Sequence, residues 1–134
     1  MIDSMVVYRP IQTGDYEAVQ TLLVDNGWGA RVSDVERFRA MVDGADRTVV
    51  ALDDGRVVGF ARALCDGASN GYISMVAVAA DLRRQGIGRR LVEHLMQEDV
   101  GDITWVLRAG RESRGFWKRL GFMASEVAME RVRR

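Results

Sequence analysis

A glycine loop at residues 83–88, Arg-Arg-Gln-Gly-Ile-Gly, has residue types and a spacing that suit phosphate binding. It lies between an apolar run at residues 75–78 and an amphipathic stretch at residues 89–97, so it joins a predicted strand to a predicted helix. Glycine lets the backbone approach a ligand without a Cβ in the way, and the first N–H groups of a helix lack intrahelical partners. The pattern therefore predicts a pyrophosphate site at the start of the helix.

Four arginines lie in and beside this loop: Arg83, Arg84, Arg89 and Arg90. The helix macrodipole disfavours each positive charge at a helix start by about 0.3–1 kcal/mol. A bound anion would turn that local cost into attraction. The alternative is a tight strand-to-helix turn with solvated arginines, and a bare Gly-x-Gly does not separate the two. A nucleotide-binding phosphate loop ranks lower, because no Gly-Lys-Ser or Gly-Lys-Thr follows the glycines.

The segment before the loop has the pattern of strands and amphipathic helices. Apolar residues at helical spacing around Leu22 follow the candidate cap Thr13, and a second apolar stripe includes Phe38. The predicted elements are a strand at residues 5–9, a helix that ends at Asn26-Gly27, a loop at residues 28–32, a helix that begins with a capping box at residues 33–36, a hairpin of residues 49–52 and 56–64, and a strand after the turn at residues 69–71.

The segment after the loop predicts a parallel β-α-β unit. The helix predicted after the loop has an apolar face and a polar face, and His94 lies on the polar face. The continuous apolar run at residues 103–107 then predicts a strand buried on both faces. A short helix lined by Phe116 and Trp117 stops at Gly121, and residues 123–132 are predicted to close the sheet. The predicted fold class is α/β, with an antiparallel half and a parallel half.

With its flanks, the loop resembles the acetyl-CoA loop of the GNAT superfamily of N-acetyltransferases. The family pattern of Gln or Arg, two residues, Gly, one residue, then Gly or Ala is filled by Arg83, Gly86 and Gly88. Residues 112–122 resemble the family's late helix, which ends in Leu-Gly-Phe. The resemblance covers nearly the whole chain. It implies one GNAT domain over residues 1–134, with a mixed sheet that is antiparallel in its N-terminal half, locally parallel splayed strands around the loop, and about four flanking helices.

The resemblance also implies an activity, which is direct transfer of an acetyl group from acetyl-CoA, as co-substrate, to a primary amine without a metal. Pantetheine would lie along the strand that precedes the loop, and the pyrophosphate would lie on the loop. A non-catalytic CoA-binding sensor or partner module is the alternative. The cofactor-binding residues implied by the resemblance are Val76, Ala77, Val78, Arg83, Arg84, Gln85, Gly86, Ile87, Gly88, Arg89, Ser113, Phe116 and Trp117.

The usual proton donor is missing, because Trp117 stands where family members often carry a tyrosine. An indole N–H donates a hydrogen bond but does not give up its proton. Gly110 likewise stands where relatives often have Asn. Three tyrosines remain, Tyr8, Tyr16 and Tyr72, and Tyr72 on the central strand is the best placed candidate acid. Ser74 stands where some relatives place a carboxylate base, so a relay through water held by Ser74 is a further candidate. A thiol with a pKa of roughly 8.5 can also leave unprotonated.

The acceptor is predicted to bind at the segment between the first two strands, residues 25–43. Its candidate contacts are Trp28, Arg31 and Phe38. An aromatic residue with mixed charge suits a small polar amine, an amino acid, or a protein N-terminus or lysine equally well. The acceptor class stays open.

The amino-acid composition limits which other classes of partner we expect. The chain of 134 residues has 19 basic and 19 acidic side chains, so no global field favours nucleic acid or membrane as a partner.

The single cysteine, Cys65, is expected to be a packed thiol in a reducing compartment. The first five residues lack the plan of a signal peptide, and we expect a cytoplasmic protein. A homodimer stays open.

Overall fold

A five-stranded mixed sheet forms the centre of the protein in the computed structural model, which describes residues 5–97 and 101–133. The strands lie in chain order across the sheet; the first four are antiparallel, and the last is parallel to the fourth. This arrangement confirms the predicted fold class. The strands are β1 (Val6–Arg9), β2 (Arg47–Asp53), β3 (Arg56–Cys65), β4 (Asn70–Val78) and β5 (Thr104–Leu107).

Five α-helices are found in the described residues, and they lie on both faces of this sheet. α4 packs against β2, β3 and β4 on one face, whereas α1 contacts β3 and β4. Gly59 allows α4 to approach closely, because its missing Cβ would meet the side chains of Ile87 and Leu91. The helices are α1 (Tyr16–Leu23), α2 (Gly29–Val32), α3 (Val35–Asp43), α4 (Ile87–Met96) and α5 (Arg114–Arg119).

Polar contacts hold the C-terminal end of α4 and the turn that precedes β4. Arg47 donates to the carbonyl oxygen of Leu95 at 3.0 Å, which holds the C-terminal end of α4 against the sheet. Before β4, the Asp66 carboxylate accepts the backbone N–H groups of Ser69, Ala68 and Asn70. These hydrogen bonds favour the charged form and lower the pKa of Asp66 to about 2. The turn into β4 is therefore held by a charge that persists at neutral pH.

The region between α1 and α3 differs from the predicted loop. A wide turn at Val24–Trp28 follows α1, with Gly27 at φ +90°, and Gly29–Val32 then forms a helical turn. α1 thus ends at Leu23, three residues before the predicted end, although the helical backbone is broken at Asn26 and Gly27 as predicted. Most of the predicted loop is helical. Asp34, not Ser33, caps α3, because its side chain accepts the N–H of Arg37 at 3.0 Å.

The last part of the chain contradicts two expectations. Residues 123–132 form no strand, and Met123 and Met129 are 88% and 97% exposed. The Ser125 hydroxyl accepts the N–H groups of Val127 and Ala128, and this turn interrupts the extended backbone that a strand needs. β5 is therefore the last strand of the described sheet and is not buried on both faces, with Val106 42% exposed.

Gly71 provides a test of how β4 and β5 are held together. It pairs with Trp105, and a Cβ added at Gly71 would overlap the six-membered ring of Trp105. We expect Gly71→Ala to lower the free energy of unfolding by about 1–3 kcal/mol, because the ring must shift. Thermal unfolding measures the loss. Gly110→Ala is the matched control, since no atom lies within 4 Å of its added Cβ and its φ is −63°. Equal losses in both variants would contradict the packing argument.

Candidate functional site

β5 ends opposite the middle of β4, so the second half of β4 has an open edge on that side, which we call the cleft. Their parallel pairing runs from Asn70 opposite Thr104 to Ile73 opposite Leu107. β4 then continues to Val78, still paired with β3. Within the described sheet, residues 74–78 therefore have a strand neighbour on the β3 side and none on the β5 side. Their backbone groups on the cleft side are available to an extended ligand.

A β-bulge lies at the point where the cleft begins. Ser74 pairs with Arg62 and Ala77 with Phe60, so two residues of β4, Met75 and Val76, lie opposite one residue of β3. Met75 has a φ of +62°, a left-handed conformation that is uncommon for a side chain of this kind. The extra residue turns local backbone groups out of the ladder. The bulge therefore coincides with the point at which β4 loses its pairing with β5.

The glycine loop brings the start of α4 to the end of β4. Gly86 is the N-cap of α4 with a φ of +88°, and no side chain caps the first N–H groups of this helix. A Cβ on Gly88 would lie 3.2 Å from the Phe116 ring and 3.7 Å from Val78 Cγ2. Gly88 is thus needed for packing between α4, β4 and α5, in addition to any contact with a ligand. A fixed helix N-terminus next to the cleft is suited to an anion.

The arginines of this loop differ in their partners. Arg83 donates to Asn26 Oδ1 at 2.6 Å and to the Val78 carbonyl oxygen at 3.3 Å. Arg89 pairs with Glu93 at 3.3 Å across one turn of α4. Arg84 makes no hydrogen bond or ion pair to any residue that the structure describes. The side chain of Arg83 therefore ties the loop to the turn after α1, and Arg84 retains its donors.

Trp117 lies in an aromatic cluster on α5 and not in an open channel. Its ring packs edge-to-face against Phe116 and Phe122, with centroids 5.0 Å and 5.3 Å apart, and the residue is 8% exposed. The family resemblance implied that Trp117 contacts the cofactor, but its burial assigns this side chain mainly to the core. Ser113 donates to the Gly110 carbonyl oxygen at 3.0 Å, so its hydroxyl stabilises the start of α5.

Three polar side chains lie together on the sheet face opposite α4. Tyr72 and Ser74 alternate with residues that face α4, and Ser74 pairs directly with Arg62 of β3. All three are partly buried, and none has a hydrogen-bond partner among residues 5–97 and 101–133. Burial lowers the pKa of Arg62, yet arginine remains charged at neutral pH. The sequence signalled Tyr72 and Ser74 but missed Arg62, whose only signal is a charge inside an apolar strand.

The predicted acceptor residues separate into two groups. Trp28 and Arg31 are partly exposed around the start of α2, and the Arg83–Asn26 hydrogen bond connects this region to the glycine loop. Phe38 is 1% exposed and packs edge-to-face against Tyr16. Its ring has no surface left for an acceptor, so this expectation is wrong. His94 is exposed as expected and stacks on Tyr8 with ring centroids 4.9 Å apart.

A cavity of about 560 Å³ lies away from the glycine loop, at the other end of α4. Tyr16 donates to Asp43 at 2.6 Å on its wall, and Arg47 on the same wall donates to α4. These polar side chains thus already bind other groups of the protein. No group of three His, Cys, Asp or Glu residues suited to a metal occurs in the described ranges. None of the helices in those ranges combines the length and apolar character of a membrane span. Residues 1–4, where we expect no signal peptide, lie outside the described ranges.

Comparison with known proteins identifies the fold and one family. Residues 44–124 match the family model of the acetyltransferase (GNAT) domain. The histone acetyltransferase TAP1 of Glycine max is 40% identical over 73 residues, which cover 52% of this chain and 31% of TAP1. The chain therefore matches about a third of that relative's length.

Solved structures resemble nearly the whole chain. An acetyltransferase assigned to the GNAT family in Xanthomonas campestris aligns with a TM-score of 0.80 at 24% identity, over 95% of this chain and 92% of that protein. A Staphylococcus aureus protein of unknown function, described as a probable acetyltransferase, aligns with a TM-score of 0.76 at 23% identity, over 97% of this chain and all of that protein. At these identities the similarity shows the fold alone.

The burial of Trp117 makes a prediction about the fold. We expect Trp117→Ala to lower the free energy of unfolding by about 3–5 kcal/mol, because it empties the aromatic cluster. Chemical denaturation measures the change. Lys118→Ala, at the exposed next position, is the control and should stay close to the parent protein. A Trp117→Ala variant of unchanged stability that bound acetyl-CoA more weakly would instead support a role of Trp117 in cofactor binding.

Proposed function

The chain belongs to the GNAT acetyltransferase family, and we propose that it moves an acetyl group from acetyl-CoA directly to a primary amine. The family supports an acyltransferase; the donor and the acceptor are the parts that we propose. The observation that carries the proposal is the cleft beside residues 74–78, with the uncapped start of α4 at its end. An extended acyl carrier and a diphosphate need these two features in this order.

The cleft fits pantetheine through its backbone. A chain of amides laid along residues 76–78 would take the place of the strand that β5 ceases to provide, and it would satisfy backbone groups on that edge. The diphosphate would accept N–H groups of residues 86–89, with Arg84 adding a charge. Apolar side chains suit these positions, because the backbone does the binding. The proposed donor site comprises Val76, Ala77, Val78, Arg84, Gln85, Gly86, Ile87, Gly88 and Arg89, with Phe116 behind Gly88.

The chemistry needs a neutral amine, a held carbonyl and a proton for the leaving thiolate. The amine nitrogen attacks the thioester carbon, and the new oxyanion would be stabilised by a backbone N–H of the bulge at Met75 and Val76. Collapse of the tetrahedral intermediate breaks the carbon–sulfur bond. The nitrogen loses a proton and the thiolate gains one, through the Tyr72 hydroxyl or through water held by Ser74.

A non-catalytic CoA-binding module is the second candidate. It is favoured by one observation, the buried Trp117 at the position where a tyrosine acid is usual in the family. Both candidates require acetyl-CoA to bind, but only the first requires turnover.

Three further proposals concern the molecule as a whole. We propose one domain over residues 1–134, a cytoplasmic location and a homodimer. Exposed apolar side chains at Met123, Val127 and Met129 support the dimer, because such patches mark interaction surfaces. Sedimentation equilibrium that gave only the mass of one chain would exclude it.

Acetyl-CoA binding and turnover test the proposal together. We expect acetyl-CoA to raise the melting temperature while ATP and NAD at equal concentration do not. At a hundredfold excess over Kd, a ligand stabilises the folded state by about 2.7 kcal/mol. A thiol-release assay across a panel of amines then measures turnover. Binding without turnover would favour the CoA-binding module, and no shift with any CoA species would exclude both candidates.

Arg84 tests where the phosphates bind. We expect Arg84→Gln to weaken acetyl-CoA binding about tenfold to a hundredfold, because it removes a charge-assisted hydrogen bond worth about 1.5–3 kcal/mol. Stability should change little, since Arg84 has no partner among the described residues. Arg89→Gln is the matched control, because Arg89 already pairs with Glu93. Calorimetric titration compares the two, and an equal or larger loss with Arg89→Gln would reverse the assignment.

A further inference from the structure

Arg62 is an unusual cation within this sheet. It lies in the interior of β3, between Thr48 of β2 and Ser74 of β4, and its Nε is buried without a hydrogen-bond partner. Neighbours on both sides fix its backbone, so the guanidinium stays on the face opposite α4. A charged group whose donors have no partner in the protein costs free energy, and a ligand that reaches the guanidinium can recover part of it.

Arg62 also lacks a counter-ion. It forms no ion pair with any acid in the described parts of the chain. More exposed arginines on the surface do have acids: Arg56 pairs with Asp81 at 3.1 Å and Arg108 with Glu130 at 2.9 Å. A partly buried charge is costly unless it is paired, and the guanidinium fork matches a carboxylate or phosphate. The missing partner is therefore expected to be an anion from outside the chain.

The surroundings of Arg62 have the form of a small binding site. Tyr72 and Ser74 add two hydroxyls on the same face, and neither has a partner within the described residues. Tyr72 pairs with Leu64 of β3 on one side and with Val106 of β5 on the other. The apolar side chains of Leu64 and Val106 are 41% and 42% exposed. Convergent polar donors with an apolar border are typical of ligand sites.

The distance from Arg62 to the position that the acetyl group would occupy can be estimated from the sheet. If the donor occupies the cleft and the start of α4, the amine must approach from the opposite face, where Arg62 lies. Neighbouring strands are about 4.8 Å apart and successive residues about 3.4 Å, so the bulge at Val76 is roughly 8 Å from the Arg62 backbone. Part of that distance is covered by the arginine side chain. The anion and the amine would then be only a few bonds apart.

We propose that Arg62 binds a carboxylate or phosphate of the acceptor, which makes the acceptor a small anionic primary amine. This inference rests on the proposed function and deepens it. It selects amino acids and phosphorylated amines from the classes that the sequence left open. It disfavours lysine side chains of proteins, whose amine has no anion a few bonds away. Arg62 is a specificity residue in this proposal, and the reacting atoms are handled elsewhere.

The test compares matched amines that differ only in the anion. The pairs are β-alanine with β-alaninamide, glycine with glycinamide, and phosphoethanolamine with ethanolamine. We expect kcat/KM to favour the anionic member of the preferred pair by about tenfold to a hundredfold, as a charge-assisted bidentate contact allows. The pair with the larger ratio distinguishes a carboxylate from a phosphate.

Variants assign the preference to Arg62. Arg62→Gln should remove it while kcat/KM for the neutral amine and the Kd for acetyl-CoA stay the same, and Arg62→Lys should keep part of it. Arg56→Gln, an exposed arginine on the same strand, should leave the preference intact. The melting temperature of Arg62→Gln should hold or rise, because an uncompensated charge is removed. A fall in its melting temperature together with an intact preference would show that Arg62 serves the fold alone.

Calorimetric titration of the CoA-loaded protein with the same amines separates this inference from the proposed function. Arg62-dependent binding of an anionic amine without turnover would refute the acetyltransferase and keep the anion site. Turnover of neutral and anionic amines at equal rates would keep the acetyltransferase and refute the anion site. Absence of Arg62-dependent binding or preference across the panel would also overturn the inference.

Discussion

The separation of β4 from β5 is the constraint on which the rest of the structure depends. A strand inside a sheet satisfies its backbone groups on both sides, but β4 has two neighbours for its first half and one for its second. Gly71 lies under the Trp105 ring and keeps the paired half closed, and the bulge at Met75 marks the change. A left-handed residue such as Met75 costs about 1–3 kcal/mol and persists only where its surroundings fix it. The cleft is therefore a built feature of the sheet.

Most secondary-structure elements could be predicted from the sequence. The predictions were wrong where contacts with distant parts of the chain determine the structure. Turn residues and apolar periodicity are local, so the β2–β3 hairpin, α4 and the glycine loop could be predicted before their packing was known. β5 was predicted as a buried strand because an apolar run does not show whether another strand will cover it. The predicted closing strand failed through one side chain, since Ser125 bonds the backbone two and three residues ahead. Strand pairing is a long-range property, and no local pattern contains it.

The candidate site likewise has one part that the sequence indicated and another part that it did not. The donor half could be proposed from the sequence, because glycines at fixed spacing are typical of loops whose backbone binds phosphate. Arg62 carries no such signature, and only the register of β3 against β4 brings it beside Ser74. Phe38 shows the reverse error, because an aromatic in a variable segment suggests a contact until the core is seen to bury it. Side-chain sites on a sheet face depend on register, which the sequence does not state.

Backbone and side-chain recognition also differ in what substitution can change. A donor held by the N–H groups of a helix start and a strand edge depends on geometry, so many side chains can vary there without loss. An acceptor held by Arg62 would depend on one side chain on a rigid strand, and a single substitution there can alter its charge preference. The uncompensated Arg62 then has a physical explanation, because a binding residue is left unsatisfied until its ligand arrives, at some cost to stability. In this proposal, the backbone of the fold would hold the donor for any acceptor, and the face opposite α4 would determine which amine binds.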